Sequence, residues 1–259
     1  MKQMKLIAFS IFLIILLIQW KNKSNSSELV YKSGENLKYL MYYGWFDGGY
    51  AYLSLEESKL DTLEVFHAKM FAKSIGITDK LYRVRDIYES YFDKHNTLSY
   101  KGIRNIHENN YKFYNETVYN RKDTTVESQK SGTHKITAKT TDMLSTLYML
   151  RNELSDFNFQ QDSFISFSTF FGDELFPLKI RFLGLETIST KLGKINCLKF
   201  APLVEVGRVF KTKDDMTIWF SNDRNYLPIR VKFELFIGSL KCDLIEYEGL
   251  KYEFLKNSR

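Results

Sequence analysis

Strict alternation of apolar and polar residues is the feature that most restricts the fold of this chain. In residues 227–235 the apolar side chains occupy every second position and alternate with Arg230, Lys232 and Glu234. Successive strand residues point to opposite sides of a sheet, so this pattern predicts a strand with one buried face and one wet face. Residues 178–182 and 216–221 alternate in the same way. Strands with one wet face favour antiparallel pairing.

Further segments have a strand-like pattern, and turn-forming residues separate many of them. The segments are 37–43, 50–56, 63–70, 87–92, 111–119, 194–201 and 240–248. The clearest turn signals are at 47–49, 120–123, 172–173 and 221–223, where Gly, Asn and Asp are concentrated. We therefore predict a mainly β fold, with a large curved antiparallel sheet or a partly closed β-barrel.

One segment has the periodicity of a helix instead. Its apolar residues recur at offsets of four, three and four, as in an amphipathic helix over about 142–154. These residues are Met143, Leu147, Leu150 and Leu154. Thr141 or Asp142 can cap its N-terminus. A short isolated helix is marginal, so we expect it to pack on the concave face of the sheet. The predicted contacts are strand residues of the C-terminal half, namely Ile229, Val231 and Phe233. A helical turn is also expected around 78–84.

The N-terminus has the pattern of a secretory signal. Lys2 and Lys5 precede an almost wholly apolar run at 6–19, and small polar residues follow at 24–26. The run is shorter than the roughly 20 residues that span a bilayer. We expect residues 1–26 to be a signal peptide and the protein to be exported to the periplasm. The alternative is anchoring in the inner membrane by an uncleaved N-terminal helix.

The remaining residues 27–259 are expected to form a single β-rich domain without a stable transmembrane segment. Lys2, Lys5, Lys21 and Lys23 precede them, so 33 of the 37 basic residues remain, against 31 acidic ones. This near balance gives no support for a nucleic-acid partner, which normally requires a clustered basic face. The 17 Tyr and 21 Phe residues suit half-buried strands.

The sequence contains no zinc-protease His-Glu-x-x-His motif, no serine-hydrolase Gly-x-Ser-x-Gly motif and no phosphate-binding loop. The four histidines are scattered, so no metal site, cofactor or catalytic residue is predicted. Cys197 and Cys242 are the only cysteines. We expect them to be buried free thiols, with a disulfide between them as the less favoured alternative.

Five residues are candidates for ligand binding: Met143, Leu147, Leu150, Arg151 and Trp219. Arg151 lies beside the apolar stripe of the helix. It can be a surface arginine with its stem on apolar residues, which we favour, or an anchor for an acidic head group or a buried carboxylate. Trp219 alternates away from Ile218 and Phe220. It therefore belongs to the opposite sheet face, where it is either exposed for binding or covered by a second layer.

Short motifs in the expected order resemble a known bacterial family. Residues 34–39 and the Tyr-Gly-Trp-Phe-Asp-Gly-Gly segment at 43–49 resemble the opening signature of domain of unknown function 3108. Residues 82–90, the helix with Tyr148 and Arg151, and the 219–229 segment are similar to later parts of the family. The resemblance implies an exported single-domain protein without an established activity. It supplies no catalytic residues.

Three functions remain open. The favoured one is a non-catalytic binding or carrier protein for a lipid or another amphiphile, in a groove between helix and sheet. The alternatives are an envelope scaffold that contacts other envelope proteins, and an envelope hydrolase with an unrecognised site. The sequence does not favour an enzyme.

Overall fold

The computed structural model describes residues 28–202, 215–235 and 238–255. The predicted signal peptide lies outside these residues. Within them, fourteen strands and two helices are present, in the following order: β1 Glu35–Tyr43, β2 Phe46–Leu60, β3 Leu63–Ser74, α1 Gly76–Leu81, β4 Arg85–Asp93, β5 Ser99–Glu108, β6 Tyr111–Asn120, β7 Thr125–Ser128, β8 Gly132–Lys135, α2 Met143–Asp156, β9 Phe164–Phe171, β10 Glu174–Thr190, β11 Gly193–Pro202, β12 Met216–Ser221, β13 Pro228–Glu234 and β14 Ser239–Glu248.

All the strands belong to one antiparallel sheet with the order 8-7-6-5-4-3-2-1-14-13-12-11-10-9. The chain builds the first half outward from β1 to β8, crosses through α2, and then returns inward from β9 to β14. Pairing between β1 and β14 joins the two halves, with Leu37 opposite Tyr247 and Tyr39 opposite Leu244. The predicted antiparallel, mainly β fold is confirmed.

The two outer parts of the sheet approach each other, so the sheet is strongly curved. Residues 136–142 run between β9 and the strands β5 to β7. Thr141 donates its backbone N–H to the Ser168 carbonyl at 2.9 Å and accepts from the Phe170 N–H at 2.8 Å. Tyr119, Val126, Ile136 and Phe170 form a small buried cluster at this place. We call this junction the seam.

Helix α2 lies inside the curve and provides core residues for both halves of the sheet. Leu144 and Tyr148 belong to a cluster with residues of β1 to β4. Leu150 and Leu154 belong to a second cluster with residues of β9 to β12. The predicted helix over 142–154 is therefore confirmed, and it fills the concave side of the sheet.

The predicted turn at 47–49 is wrong. These residues are part of β2, where Asp47 pairs with Tyr42 of β1. The chain reverses at Gly44 and Trp45 instead, because Gly44 adopts a φ of 59°, which glycine tolerates without strain. The short helix predicted around 78–84 is present slightly earlier, as α1.

Candidate functional site

The buried face of α2 is wider than the predicted stripe. Leu150 and Leu154 are buried as expected, whereas Met143 and Leu147 are only half-buried. Leu144, Tyr148 and Arg151 are buried as well. The sheet curves around the helix, so side chains on more than one side of α2 meet strands. The apolar stripe that periodicity predicts covers only one side of the helix, so it misses the contacts on the other sides.

The strand contacts of α2 differ from those predicted. Leu150 and Leu154 pack with residues of β9 to β12, including Ile165, Phe182 and Phe220. Val231 and Phe233 of β13 are half exposed and belong to neither core cluster, so their prediction was wrong. Ile229 is buried, in the cluster that contains Leu144 and Tyr148. The prediction placed the contacts correctly in the C-terminal half of the sheet, but most of them come from other strands than β13.

Arg151 is fully buried, which overturns its interpretation as a surface arginine. Its Nη1 and Nη2 donate to the Glu35 carboxylate at 2.6 and 2.8 Å, and its Nε donates to the Asn225 carbonyl at 3.1 Å. Neither Arg151 nor Glu35 has solvent exposure. Burial alone disfavours the charge, but the adjacent Glu35 carboxylate raises the pKa of Arg151 above its ordinary value. Arg151 is therefore an anchor for a buried carboxylate of β1.

Trp219 is buried as well. Its Nε1 donates to Glu186 of β10 at 3.1 Å, and the Lys199 ammonium lies 5.4 Å from its ring centroid. Its cross-strand partners are Lys199 of β11 and Arg230 of β13. Trp219 therefore lies on a face with charged residues, opposite to the face of Ile218 and Phe220, as the alternation predicted. The side chain is buried, so the interpretation that it is exposed for binding is wrong.

Both cysteines are free in the structure. Cys197 is buried and Cys242 is half-buried. Burial raises the pKa of each thiol to about 12. Neither thiol is therefore activated as a nucleophile near neutral pH.

A cleft at the seam is the most distinctive site among the described residues. Met143 and Leu144 at the start of α2, together with Phe170 and Phe171 of β9, form its apolar side. Its polar side comes from the following residues of β4 to β6 and the β9–β10 turn: Tyr88, Arg104, Asn115, Thr117 and Asp173. Its volume is about 40 Å³, which suits a few waters or one small polar group. Of the five residues proposed from the sequence, Met143 lines this cleft.

Gly102 of β5 leaves room for the Thr117 side chain of β6. A Cβ atom at position 102 would lie 2.8 Å from the Thr117 Oγ1 and 3.6 Å from the Asp142 Cβ. The first of these distances is too short for a real contact, so a larger residue would displace the Thr117 side chain, whereas the second is an ordinary contact. The absence of a side chain at Gly102 also explains why the sequence pattern of β5 was not recognised as a strand.

Arg104 is the least compensated charge in the cleft. Its guanidinium lies 5.1 Å from the Phe113 ring centroid and 4.6 Å from that of Phe171. Its Nε is buried and has no hydrogen-bond acceptor among the described residues. None of the ion pairs found there involves Arg104. Arg104 is half-buried, and an anionic group in the cleft would supply the acceptor that its buried Nε lacks.

The carboxylates near Arg104 already have other partners. Asp173 Oδ1 accepts from Ser128 Oγ at 2.6 Å and from Asn115 Nδ2 at 3.0 Å. Burial opposes its charge, but the hydrogen bonds to Ser128, Ser131 and Asn115, followed by the attraction of the nearby Arg104 guanidinium, lower the pKa of Asp173 overall. Glu89 Oε2 lies 2.7 Å from His67 Nε2.

Asp142 caps α2 and is also engaged. Its Oδ1 accepts from the Leu144 and Ser145 N–H groups at 2.9 and 3.0 Å, and its Oδ2 accepts from Ser90 Oγ at 2.5 Å. Complete burial nevertheless raises the pKa of Asp142. The capping bonds do not extend to Arg104.

In the part of the chain that the structure describes, no group of three His, Cys, Asp or Glu residues lies close enough to hold a metal ion. No helix in the same part has both the length and the apolar character needed to cross a membrane.

The family profile described as "Protein of unknown function (DUF3108)" matches residues 38–245. The chain belongs to this family. The resemblance drawn from the short sequence motifs is thereby confirmed. The match extends from β1 to β14 and contains the seam cleft, Arg104 and α2. The description of the family assigns no activity to it, and no curated protein sequence matches the chain.

One of two similar solved structures supports the fold of this family member. A β-barrel-like protein of domain of unknown function DUF1849 from Brucella abortus matches with a TM-score of 0.57 at 9% identity, covering 85% of this chain and 98% of that one. A hypothetical protein from Chlamydia trachomatis matches with a TM-score of 0.28 at 11% identity, covering 88% and 93%. The first similarity shows a shared barrel-like fold and nothing about activity.

Sequence reasoning missed Arg104. The signal that could have found it is its position two residues after Gly102, on the same face of β5. That inference requires β5 to be recognised as a strand, and Ser99, Gly102 and Arg104 interrupt the apolar alternation there.

Proposed function

We propose that this chain is an exported envelope protein that binds an amphiphile without catalysis, holding an anionic head group beside Arg104. The observation that carries the proposal is the guanidinium of Arg104, which lies between two phenylalanine rings and has a buried Nε without a hydrogen-bond acceptor among the described residues. A carboxylate or phosphate is the group that a guanidinium binds best.

The seam cleft fits the head group of an amphiphile better than its tail. The space of about 40 Å³ is too small for an acyl chain. The apolar wall of the cleft continues outward at Phe171, and Leu175 on β10 is also exposed near this turn. An apolar tail would therefore lie against the surface. Because α2 fills the concave side of the sheet, an enclosed carrier cavity of the kind expected from the sequence is not part of this proposal.

The experiment is native mass spectrometry of protein purified from the envelope of its own host, before and after organic extraction. Three variants are compared with the wild type: Arg104→Gln, Arg104→Lys and the exposed control Arg224→Gln. We expect an extractable anionic amphiphile on the wild type and the control, a strong loss with Arg104→Gln, and partial retention with Arg104→Lys, because lysine keeps the charge but not the planar geometry.

Measuring the free energy of unfolding of the same variants distinguishes an effect on binding from an effect on folding. Arg104→Gln should change the free energy of unfolding by no more than about 1–2 kcal/mol, the size of the cation–π contacts that it removes. Equal amounts of bound amphiphile on the wild type and Arg104→Gln would refute the head-group assignment. A wild-type protein that never carries an amphiphile would refute the function.

A second candidate is an envelope scaffold, favoured by an aromatic row on the sheet face. Tyr52 of β2 stacks on Phe71 of β3 with centroids 6.3 Å apart, and the Lys73 ammonium lies 5.5 Å from the Tyr52 ring. These side chains are half-buried. Photo-crosslinking from position 52 to a specific envelope protein, absent from a control probe at exposed Leu185, would support this candidate.

A further inference from the structure

One end of the sheet carries exposed apolar side chains on three connections that lie next to each other. They are on the β1–β2 turn, on the α1 connection between β3 and β4, and beside the β5–β6 turn. Trp45 is 94% exposed and Leu81 is 76% exposed. We call this set the apolar rim, and it consists of Tyr43, Trp45, Ile77, Leu81, Tyr82 and Tyr111.

Hydrogen bonds hold the three connections together. The Ile75 N–H donates to the Gly48 carbonyl at 3.0 Å, which joins the α1 connection to β2. The Asn109 N–H donates to the Arg83 carbonyl at 2.8 Å, which joins it to the β5–β6 turn. The Tyr82 hydroxyl also donates to Glu108 at 2.7 Å. The rim is therefore one fixed surface and not a set of independent loops.

The side chains of the apolar rim are exposed and do not belong to the hydrophobic core. None of the residues of α1 is buried, although Ile77 and Leu81 are four residues apart and share one face of the helix. Trp45 occupies the tip of a hairpin, where a polar residue would be equally compatible with the turn. Large apolar side chains that are concentrated at one exposed place mark an interaction surface.

The charges around the rim are predominantly basic. Lys80, Arg83 and Lys112 are exposed and have no ion-pair partner among the described residues. Two of the acidic side chains nearby are paired: Asp79 with Arg85 at 2.6 Å, and Asp47 with Lys191 at 3.9 Å. Glu108 accepts the Tyr82 hydroxyl instead of a cation, so the surface offers apolar groups surrounded by three free cations and one free carboxylate.

We propose that the apolar rim docks on an anionic lipid bilayer, with Trp45 and Leu81 inserted at the level of the head groups. Trp and Tyr concentrate at membrane interfaces because their rings are apolar with one polar atom. Each basic side chain near an anionic surface adds roughly 1 kcal/mol of attraction, equivalent to about a fivefold change in partitioning. The proposal rests on residues other than Arg104, so it is independent of the head-group site.

The test is co-sedimentation of the full chain with vesicles of phosphatidylcholine and phosphatidylglycerol, and with vesicles of phosphatidylcholine alone. The rim variant combines Trp45→Ser and Leu81→Ser. The matched control combines Leu63→Ser and Leu255→Ser, which are exposed at the opposite end of the sheet. All proteins have the same N-terminus, so its apolar segment contributes equally, and their unfolding curves are compared first.

We expect the rim variant to partition into anionic vesicles about tenfold or more weakly than the wild type, and the control to match the wild type. Arg104→Gln should also match the wild type, whatever its effect on amphiphile binding. Equal partitioning of the rim variant and the wild type would overturn the proposal, as would equal binding to both lipid compositions. A wild-type dimer that the rim variant dissociates would assign the surface to a second copy and also overturn it.

Discussion

At the scale of single residues, the interior contains an ion pair between two fully buried side chains. Arg151 connects α2 to β1 through Glu35 and to the β12–β13 turn through the Asn225 carbonyl. Its ring neighbours are Tyr31 and Tyr148, at 5.7 and 5.3 Å from the guanidinium carbon. Glu35 lies 116 positions away in sequence, so periodicity could indicate where Arg151 lies but not what it binds.

Breaking this ion pair should be strongly destabilising. Arg151→Ala leaves the Glu35 carboxylate buried without a partner, so we expect a loss of about 3–5 kcal/mol in the free energy of unfolding. Lys38→Ala is the control, because its ion pair with Glu246 is exposed and should contribute less than about 1 kcal/mol. Denaturant unfolding of both variants measures the difference. Similar small losses would mean that the Glu35 pair does not hold the core.

At the scale of elements, α2 depends on its first residue as much as on its apolar face. Asp142 caps the helix and hydrogen-bonds to Ser90 of β4, while its own N–H donates to Ser99 of β5 at 2.8 Å. The sequence offered Thr141 and Asp142 as caps, because both precede the first apolar residue of the helix, and the structure shows that Asp142 is the cap. The sequence did not identify Ser90 and Ser99 as partners of Asp142, since both strands are polar on the side that faces the cap.

The cap should produce a pH-dependent difference between the wild type and Asp142→Asn. Burial raises the pKa of Asp142 above its ordinary value of 3.8, so the folded protein holds this proton more tightly than the unfolded chain does. The resulting stabilisation is complete below pH 3.8 and is lost as the pH rises through the folded-state pKa. Asn imitates the neutral form and does not titrate.

We therefore expect the stability of the wild type relative to Asp142→Asn to fall as the pH rises from about 3.8 toward neutral. Thermal unfolding of both proteins across this range measures the trend. Asp142→Ala, which removes the cap, should lose about 1–2 kcal/mol at every pH. Parallel curves for the wild type and Asp142→Asn would show that Asp142 does not titrate differently in the folded state.

At the scale of the whole molecule, the curved sheet closes toward a barrel and leaves one weak place, the seam. There the edge strand β9 is joined to residues 136–142 by two backbone hydrogen bonds around Thr141. Side chains of the β9–β10 turn complete the junction through Asp173. The proposed head-group cleft lies at this junction, where the sheet is least continuous.

Export is the whole-molecule property that the N-terminal sequence predicts. If the apolar run is a signal, the protein recovered from the envelope fraction should be soluble and should begin near Ser27, because the small residues at 24–26 suit cleavage. N-terminal sequencing of that fraction measures this directly. An intact Met1 on protein that sediments with membranes would instead establish the uncleaved anchor.

The sequence by itself determined the fold class, the helix, the family and the opposite facing of Trp219. These depend on local periodicity and short motifs, which residues close in sequence express. It failed where strands face polar surroundings, as in β5, and at the reversal at Gly44, which it placed three residues too late.

Only the tertiary structure decided the partner of Arg151, the strands that cover α2, and the seam cleft with Arg104. Each of these depends on which distant strands become neighbours when the sheet curves around the helix. Pairing of β1 with β14 and approach of β9 to β6 are long-range contacts. Alternation specifies which side of a strand is apolar, but it carries no information about which other strand will lie opposite that side.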